Sequence, residues 1–559
     1  MPITCALVFA LAAAPDPAAL LAHAEPGLDA VRPEAVSAHI RFLADDLLEG
    51  RAPGTRGHAV AELYVAAQLQ AAGLEPAGEG GGWFQDVPLR GWKVKDGRLE
   101  LAGKAGPVAL APGVDYVLAS DGASPRVELS APLAFAGYGV VAPELGWDDL
   151  AGVDLRGKIA VVLAGAPGPG PGAFFPPVAH ALAADTRAKH ERLRERGAVG
   201  VLQVWTPDWE RRQPWAHYAR VVSQGRLVLL DEGRPTLEGL PVRGAISAAA
   251  FDRLLAAAGE ERRLADLVAS VTRLRPARLA LRATARVALE AELQDVTARN
   301  VLGRLRGSDP ALAGEHVLYT AHLDHLGIGQ PEGGDAVYNG AMDNAAGVGV
   351  LLEAARALAR LPTAPRRTVL FAAVTAEEHG LLGSEHLARR PPVPLASIVA
   401  NVNLDGTPMA GLRNLVAFGA DESTLDRPVR AAAAALGLGV VPDPRPEQVI
   451  LIRSDQWSFI RRGTPAVFPV GHPGGEKGSP EQERAARWWR ERYHRAADAW
   501  DPTYDYEGMA AFARAMALLG LAIADDPERP RWNPDSRFRR FAAEPTAGGV
   551  APVRTRAGK

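Results

Sequence analysis

The sequence predicts an α/β fold in which helices flank a mixed, mostly parallel sheet. Two observations lead to this prediction. After about residue 295, apolar runs such as VLFAAV and SIVANVNL alternate with helical segments, and strands that are apolar throughout are typical of a sheet covered on both faces. Between about residues 125 and 286 the apolar runs are short and broken by Gly and Pro, which predicts a separate β-rich region.

The length and composition narrow the possible classes of protein. A chain of 559 residues is expected to form two or more domains, because single cores stop growing at roughly 250–300 residues. The net charge of −3 provides no basic surface for nucleic acid or an anionic membrane, so we expect neither as a partner. The single cysteine, Cys5, excludes an intrachain disulfide and a cysteine-based zinc site. Any bound metal must therefore be held by His, Asp and Glu.

The N-terminus contains an apolar run, residues 3–14, whose length is typical of the hydrophobic part of a signal peptide. Small Ala residues before Pro15 are suitable for cleavage. The pattern predicts a signal peptide over residues 1–14 and an exported protein, periplasmic or secreted. The positive charge that usually precedes such a run is absent, so an ordinary apolar terminus is the alternative. No other segment is apolar enough to predict a transmembrane helix.

The next segment, residues 33–75, predicts two helices around a loop. The first helix has apolar residues three to four positions apart: Val36, Ile40, Leu43 and Leu47. RAPGTRG is the predicted loop, and HAVAELYVAAQLQAAG is a second predicted helix that ends at Gly73.

In the β-rich region, LAFAGYGVV, GKIAVVLAG and AVGVLQVW predict strands, and DTRAKHERLRERG predicts a charged helix. The Pro- and Gly-rich spans 163–182 and 206–242 predict long surface loops. Further along, EHVLYTAHLD, RRTVLFAAVTAEE and ASIVANVNLDG predict strands, separated by the predicted helices GVGVLLEAARALARL and SEHLARR. The chain after about Asp526 has little periodicity and is predicted to be flexible.

Polar side chains follow each of the later predicted strands. Such residues are His322, Asp324 and His325, then Asp343 after a loop, then Glu377 and Glu378, and finally Asp405. Taken singly, each pattern is ordinary for a polar loop or turn. Because ligands bind outside the carboxyl ends of strands in an open α/β sheet, their order along the chain predicts one shared site.

The ordered motifs carry a resemblance to a known family. They are AHLDHLG, YNGAMDNAAGVGVLLEAARAL, VTAEEHGLLGS, NVNLDG, RSDQWSFIRRGTPAVF and YHRAADAWD, with LADDLLEGRAPGTRG near the N-terminus. Residues 33–120 and 290–525 resemble the co-catalytic dizinc aminopeptidases of metallopeptidase clan MH. AFAGYGVVAPELGWDDLAGVDLRGKIAVVL resembles a protease-associated domain inserted into the peptidase domain.

The resemblance implies a zinc aminopeptidase-like fold and a role for each strand-end residue. It implies two Zn²⁺ per chain, with His322 and Asp405 on one ion and Glu378 and His494 on the other. Asp343 would bridge both ions, Glu377 would be the general base, and Asp324 would accept a hydrogen bond from the far nitrogen of His322.

Elementary chemistry agrees with these roles. Zinc lowers the pKa of a bound water from 15.7 to near 7, and a carboxylate has two oxygens for two cations about 3.5–4 Å apart. Successive side chains at a strand end point in different directions, so Glu378 can face a metal while Glu377 faces the water. A ligand set of His, Asp and Glu suits an open, catalytic zinc site.

Other polar residues leave alternatives open. His472 is the rival of His494, which lies roughly 90 residues after Asp405 without a local spacing rule. His325 is expected beside the site, the alternative being that it is the ligand in place of His322. His379 and His386 are expected to have no catalytic role. Gln456 stands where the family commonly has His, a difference that bears on substrate preference.

We therefore expect a peptidase domain in two parts, 25–124 and 289–526, an inserted protease-associated domain at 125–288, and a flexible tail at 527–559. The expected function is removal of N-terminal residues from peptides that have a free N-terminus. The alternatives are a carboxypeptidase or glutaminyl cyclase on the same scaffold, or a non-catalytic binding protein of the same fold. The sequence carries no signal for oligomeric state.

Overall fold

The structure of the protein, a computed structural model, describes residues 15–168, 175–236, 239–271, 276–475 and 478–542. The predicted signal peptide, residues 1–14, lies outside the described residues. In the first half of the chain the strands are β1 Glu75–Pro76, β2 Phe84–Gly103, β3 Gly106–Val108, β4 Tyr116–Ala119, β5 Arg126–Phe135, β6 Val141–Ala142, β7 Trp147–Asp148, β8 Ile159–Leu163, β9 Gly200–Val204, β10 Arg226–Asp231, β11 Arg234–Pro235 and β12 Val242–Ile246. They continue with β13 Ala283–Leu305, β14 His316–His322, β15 Gly327–Glu332, β16 Asp335–Tyr338, β17 Thr368–Val374, β18 Ile398–Asn403, β19 Asn414–Phe418, β20 Gly439–Val441 and β21 Ala466–His472.

The helices lie between and around these strands. They are α1 Pro17–Leu28, α2 Pro33–Leu43, α3 Arg56–Ala71, α4 Pro177–Ala184, α5 Thr186–Glu195, α6 Pro207–Arg212, α7 Trp215–Ser223, α8 Ala248–Ala258, α9 Leu264–Val271, α10 Ala346–Ala359, α11 Leu382–Arg389, α12 Asp426–Ala435, α13 Gln456–Ile460, α14 Pro480–Glu491 and α15 Tyr506–Asp525.

The centre of the sheet is parallel and buried on both faces. β14 pairs in parallel with β17 and β18, and β18 pairs in parallel with β21. Alternate residues of β17 enter two different cores. Phe371 belongs to the core that contains residues of α2, α10 and α15, whereas Leu370 belongs to the core that contains Leu387 of α11 and Phe459 of α13. Because both faces are covered, the strand sequence is apolar at every position after Thr368.

Two long antiparallel strands, β2 and β13, connect this sheet to the β-rich region. The first part of β13 pairs with β5, and its last residues pair with β17. β5, β8, β9 and β12 form parallel pairs around a second core that includes Phe135, Ile159, Leu202 and Phe251. The predicted α/β fold with a mixed, mostly parallel sheet is confirmed. The division into domains, with a protease-associated insertion, stays a prediction.

Three local predictions differ from the structure. α2 ends at Leu43, and Leu47 is 87% exposed because Asp45 accepts a hydrogen bond from the Leu47 amide and turns the chain. The span 206–242, predicted to be loop, contains α6, α7, β10 and β11. In the predicted flexible tail, Trp532 and Phe538 are buried against Trp457, whereas residues 543–559 lie outside the described residues.

One helix among the described residues, α15, is long and apolar enough to cross a membrane by length and composition alone. Its most apolar stretch has a mean hydropathy of 1.5, and 83% of that stretch is buried inside the protein. Phe512, Met516 and Leu519 of this helix belong to the main core.

Candidate metal centre

The strand-end residues meet at the carboxyl edge of the parallel strands. β14 ends at His322, which is in register with Val374, the last residue of β17. His322 Nε2 lies 3.2 Å from Asp343 Oδ1 and 3.3 Å from Asp405 Oδ1. Asp343 precedes α10, and Asp405 follows β18 by two residues. The sheet therefore brings together three predicted ligands that are far apart in sequence.

A second group of ligand atoms lies on the other side of Asp343. His494 Nε2 is 3.1 Å from Asp343 Oδ2 and 3.2 Å from Glu378 Oε2. One carboxylate thus faces His322 with one oxygen and His494 with the other. His494 follows α14 and has a positive φ of 56°, and its ring contacts the carboxylates at the sheet edge.

His325 also adjoins this second group. Its Nδ1 lies 2.8 Å from Glu378 Oε1, and His325, Asp343 and Glu378 offer ligand atoms within 4.8 Å of one another. His494 contacts both carboxylates through one nitrogen, and for this reason we favour it over His325 as the ligand. His472 lies at the end of β21, where its Nδ1 accepts a hydrogen bond from the Gly474 amide.

Asp324 makes different contacts from those predicted. The far nitrogen of His322, Nδ1, lies 3.1 Å from the main-chain oxygen of Asp324 and 3.9 Å from its carboxylate. The carboxylate instead accepts hydrogen bonds from the main-chain amides of Glu377 at 3.0 Å and Glu378 at 3.3 Å. Asp324 is fully buried, and burial raises its pKa to about 6 even though His322 opposes the shift.

Glu377 lies in the turn that follows β17. The turn passes through Ala376 at a positive φ of 55°. Burial raises the pKa of Glu377 well above its usual range; the charge of His322 lowers it, while those of Asp405 and Asp455 raise it further. A carboxyl group with a raised pKa can hold a proton, as a general base must during a reaction.

Asp405 is held in place by a series of hydrogen-bonded polar side chains. Its Oδ2 accepts a hydrogen bond of 2.5 Å from Ser454, whose oxygen accepts one of 2.9 Å from Asn403. Asn403 also donates to Gln456 Oε1 at 2.8 Å, and the Gln456 amide donates to the main-chain oxygen of Leu451 at 2.7 Å. Gln456 is fully buried and supports Asp405 through these residues.

Arg51 was not recognised as part of the site from sequence. It is fully buried below the site, where it donates hydrogen bonds to the main-chain oxygens of Leu323, Asn339 and Gly340 at 2.6–3.0 Å. Burial lowers its pKa to about 10, against the attraction of nearby carboxylates that include Asp324. The only sequence signal was an arginine within RAPGTRG, where nothing distinguishes it from a loop residue.

Asp498 was also missed. Its carboxylate accepts hydrogen bonds from the main-chain amides of Met342 at 3.1 Å and Asp343 at 3.1 Å, and from the Trp488 indole at 3.2 Å. Burial raises its pKa to about 6. Asp498 therefore fixes the segment that carries Asp343, and its position in HRAADAWD, four residues after His494, was the available signal.

The donor set fits zinc. Asp343 Oδ2, Glu378 Oε1 and both ring nitrogens of His325 are buried without a hydrogen-bond partner among the described residues, although the groups are close together. Buried polar atoms without partners require an explanation, and a metal ion is one. Although burial acts in the opposite direction, Glu378 and Asp343 raise the pKa of His494 to about 11, so the site attracts positive charge. Imidazole and carboxylate ligands suit zinc.

An α/β sheet with His, Asp and Glu converging beyond its strand ends is an arrangement that suits a metal-dependent hydrolase. Residues 300–520 match the family model described as Peptidase family M28. This match, over residues 300–520, confirms the predicted resemblance to the family.

Known proteins resemble this chain over very different shares of its length. A probable zinc metalloprotease from Pyrenophora tritici-repentis is 43% identical over 66 residues, which are 12% of this chain and 15% of that relative. The aminopeptidase from Aneurinibacillus sp. strain AM-1 is similar in structure, with a TM-score of 0.50 and 18% identity over 91% of this chain and 97% of that one. BSAP, a zinc aminopeptidase from Bacillus subtilis, has a TM-score of 0.41 and 19% identity over 88% and 95%. At such identities the structural similarity shows the fold alone.

Proposed function

We propose that this protein is a zinc-dependent aminopeptidase that holds two zinc ions and removes N-terminal residues from peptides. The observation that carries the proposal is the position of Asp343, whose two oxygens face His322 and His494 at 3.2 and 3.1 Å. A carboxylate placed between two histidines is suited to bridge two cations.

In this proposal His322 and Asp405 would hold one ion, and Glu378 and His494 would hold the other. Asp343 would contribute one oxygen to each. Bound zinc would acidify a water and polarise the peptide carbonyl. The hydrogen bond from Ser454 and the main-chain contact at His322 Nδ1 keep the ligands in place, as outer partners of metal ligands do.

Glu377 moves the proton. Its carboxylate takes a proton from the attacking water and returns it to the nitrogen of the departing amine. The Glu377 amide is fixed by Asp324, so the carboxylate is held beside the ligand Glu378.

The choice of aminopeptidase over carboxypeptidase or glutaminyl cyclase comes from the family resemblance and from the name of the Aneurinibacillus protein. The combined presence of Glu377 and the ligand set argues against a non-catalytic binding protein. The substrate in this proposal is a peptide with a free N-terminus.

The test is a zinc measurement combined with a panel of substrates. Purified protein should contain about two zinc ions per chain and hydrolyse aminoacyl-nitroanilides. N-acetylated analogues are the matched control and should not react, because they lack the free amine. Hydrolysis only of peptides with a free C-terminal carboxylate would indicate a carboxypeptidase, and cyclisation of N-terminal glutamine would indicate a cyclase. Absence of zinc would overturn the proposal.

A further inference from the structure

Arg226 lies beside the candidate metal centre but comes from the region that the sequence predicts to be inserted. It is the first residue of β10, which pairs antiparallel with β2, with Arg226 opposite Trp92. Gly225 precedes it at φ +86°, and a Cβ there would lie 2.4 Å from the main-chain oxygen of Trp92. This tight turn after α7 determines where the Arg226 side chain begins.

Two neighbouring residues of β10 contact two neighbouring residues of the candidate site. Arg226 Nη2 donates a hydrogen bond of 3.0 Å to the main-chain oxygen of Glu378. The Leu227 amide donates one of 3.4 Å to His379 Nδ1. The guanidinium is also attracted by the carboxylates of Glu377 and Glu378.

The segment from Glu377 to His379 is therefore held from two sides. Asp324, at the end of β14, accepts the amides of Glu377 and Glu378. β10 binds the main-chain oxygen of Glu378 and the imidazole of His379. The position of the proposed base and of its neighbouring ligand thus depends on both regions of the chain.

Arg187 shows how an arginine of the same region makes an ordinary structural contact. It lies in α5 and forms an ion pair of 3.4 Å with the buried carboxylate of Glu385. Arg226 differs because its hydrogen bond goes to the main chain of a proposed metal ligand. An arginine in that place controls geometry at the site as well as packing between regions.

We propose that Arg226 is a positioning residue that holds the Glu377–Glu378 turn in place for zinc binding and proton transfer. This inference rests on the proposed function, since it uses the roles assigned there to both glutamates. It adds a role for β10, a strand outside the region that matches the peptidase family.

The test compares Arg226→Ala and Arg226→Lys with the control Arg187→Ala. Arg226→Ala should lower kcat by about 10–100-fold, the usual cost of losing an outer partner of a metal ligand. KM should change less than about twofold, because no substrate contact is removed. Zinc should be lost at a lower chelator concentration. Arg226→Lys keeps one donor and should fall between Arg226→Ala and the unchanged protein.

Arg187→Ala should lower the Tm and leave kcat and zinc retention unchanged. Three results would overturn the inference: unchanged kcat and zinc retention in Arg226→Ala, a rise in KM alone, or losses that match those of Arg187→Ala at equal Tm. Chelator titration measures zinc retention directly and does not depend on turnover. A wild-type protein without zinc or activity would overturn the proposed function, whereas a wild type with both and an indifferent Arg226→Ala would overturn only this inference.

Discussion

Asp324 and Glu377 are joined by a hydrogen bond in which the Glu377 main-chain amide donates to Asp324 Oδ1 over 3.0 Å. The next amide, that of Glu378, donates to the other oxygen. Meanwhile His322 Nδ1 approaches the main-chain oxygen of the same aspartate. Asp324 therefore orients the proposed ligand His322 through its main-chain oxygen. Its side chain orients the Glu377–Glu378 turn.

Substitution of Asp324 should affect the turn more than the His322 ring. In Asp324→Asn, an amide nitrogen replaces one oxygen and faces a main-chain N–H, so one hydrogen bond is lost. We expect kcat to fall by about 10–100-fold, with zinc retained because the main-chain oxygen of residue 324 remains. Asp324→Ala loses both bonds and should be more severe. Steady-state kinetics with zinc analysis measures this, and zinc loss at full Tm in Asp324→Asn would contradict it.

Glu377→Gln tests the general base. The amide cannot take a proton from water, so kcat should fall by about 10²–10⁴. Zinc content should stay the same, because Glu377 is not a proposed ligand. Gln is close to Glu in size, so the Tm should also be preserved. Turnover near that of the wild type would remove Glu377 from the mechanism.

Asp343→Ala tests the bridge. Because its two oxygens face His322 and His494, its loss should weaken both zinc sites together. His322→Ala should weaken chiefly the one zinc site to which His322 belongs. Metal analysis after dialysis measures both variants, and retention of two zinc ions by Asp343→Ala would disprove the bridging role.

His494→Ala and His325→Ala separate the two histidines near Glu378. We expect His494→Ala to lose one zinc, since its Nε2 contacts Asp343 and Glu378 together. His325→Ala should keep two zinc ions at equilibrium and release them more readily to a chelator. The reverse pattern would make His325 the ligand and His494 an outer residue.

The parts of the site that the sequence predicts are those that adjoin strands. β14, β17 and β18 are mostly apolar, so their ends are visible in the sequence. His322 is the last residue of β14, while Glu378 and Asp405 lie in the short segments that follow β17 and β18. Parallel pairing then brings these ends to one edge. The predicted fold and the family follow from the same pattern.

The parts that the sequence does not predict depend on turns and on long-range contacts. The side-chain contacts of Asp324 depend on the turn at Ala376, and local spacing does not encode that direction. Arg51 and Arg226 follow irregular or Pro- and Gly-rich segments and contact main-chain oxygens, which any sequence provides. The position of His494 depends on the packing of α14, roughly 90 residues beyond Asp405.

Glu385 gives a prediction about stability and pH. Its buried carboxylate accepts hydrogen bonds from Arg389, Arg461 and Arg462 at 2.7–3.0 Å and pairs with Arg187 from the β-rich region. Burial alone would raise the pKa of Glu385, but the guanidinium groups outweigh burial and hold it well below the usual 4.5.

Because the folded protein keeps Glu385 ionised at a pH where the unfolded chain takes up a proton, its stabilising effect is present above about pH 4.5 and is lost as the pH falls further. At pH 7, Glu385→Gln should lower the free energy of unfolding by about 3–5 kcal/mol, the cost of breaking a buried ion pair. Below about pH 4.5 this difference from the wild type should shrink steadily.

Glu191→Gln is the control: Glu191 pairs with Arg187 near the surface, so its loss should cost only about 0.3–0.5 kcal/mol. Urea unfolding of the three proteins between pH 3.5 and 7 measures these differences, and a gap between wild type and Glu385→Gln that is constant across this range would show that Glu385 keeps an ordinary pKa in the folded protein.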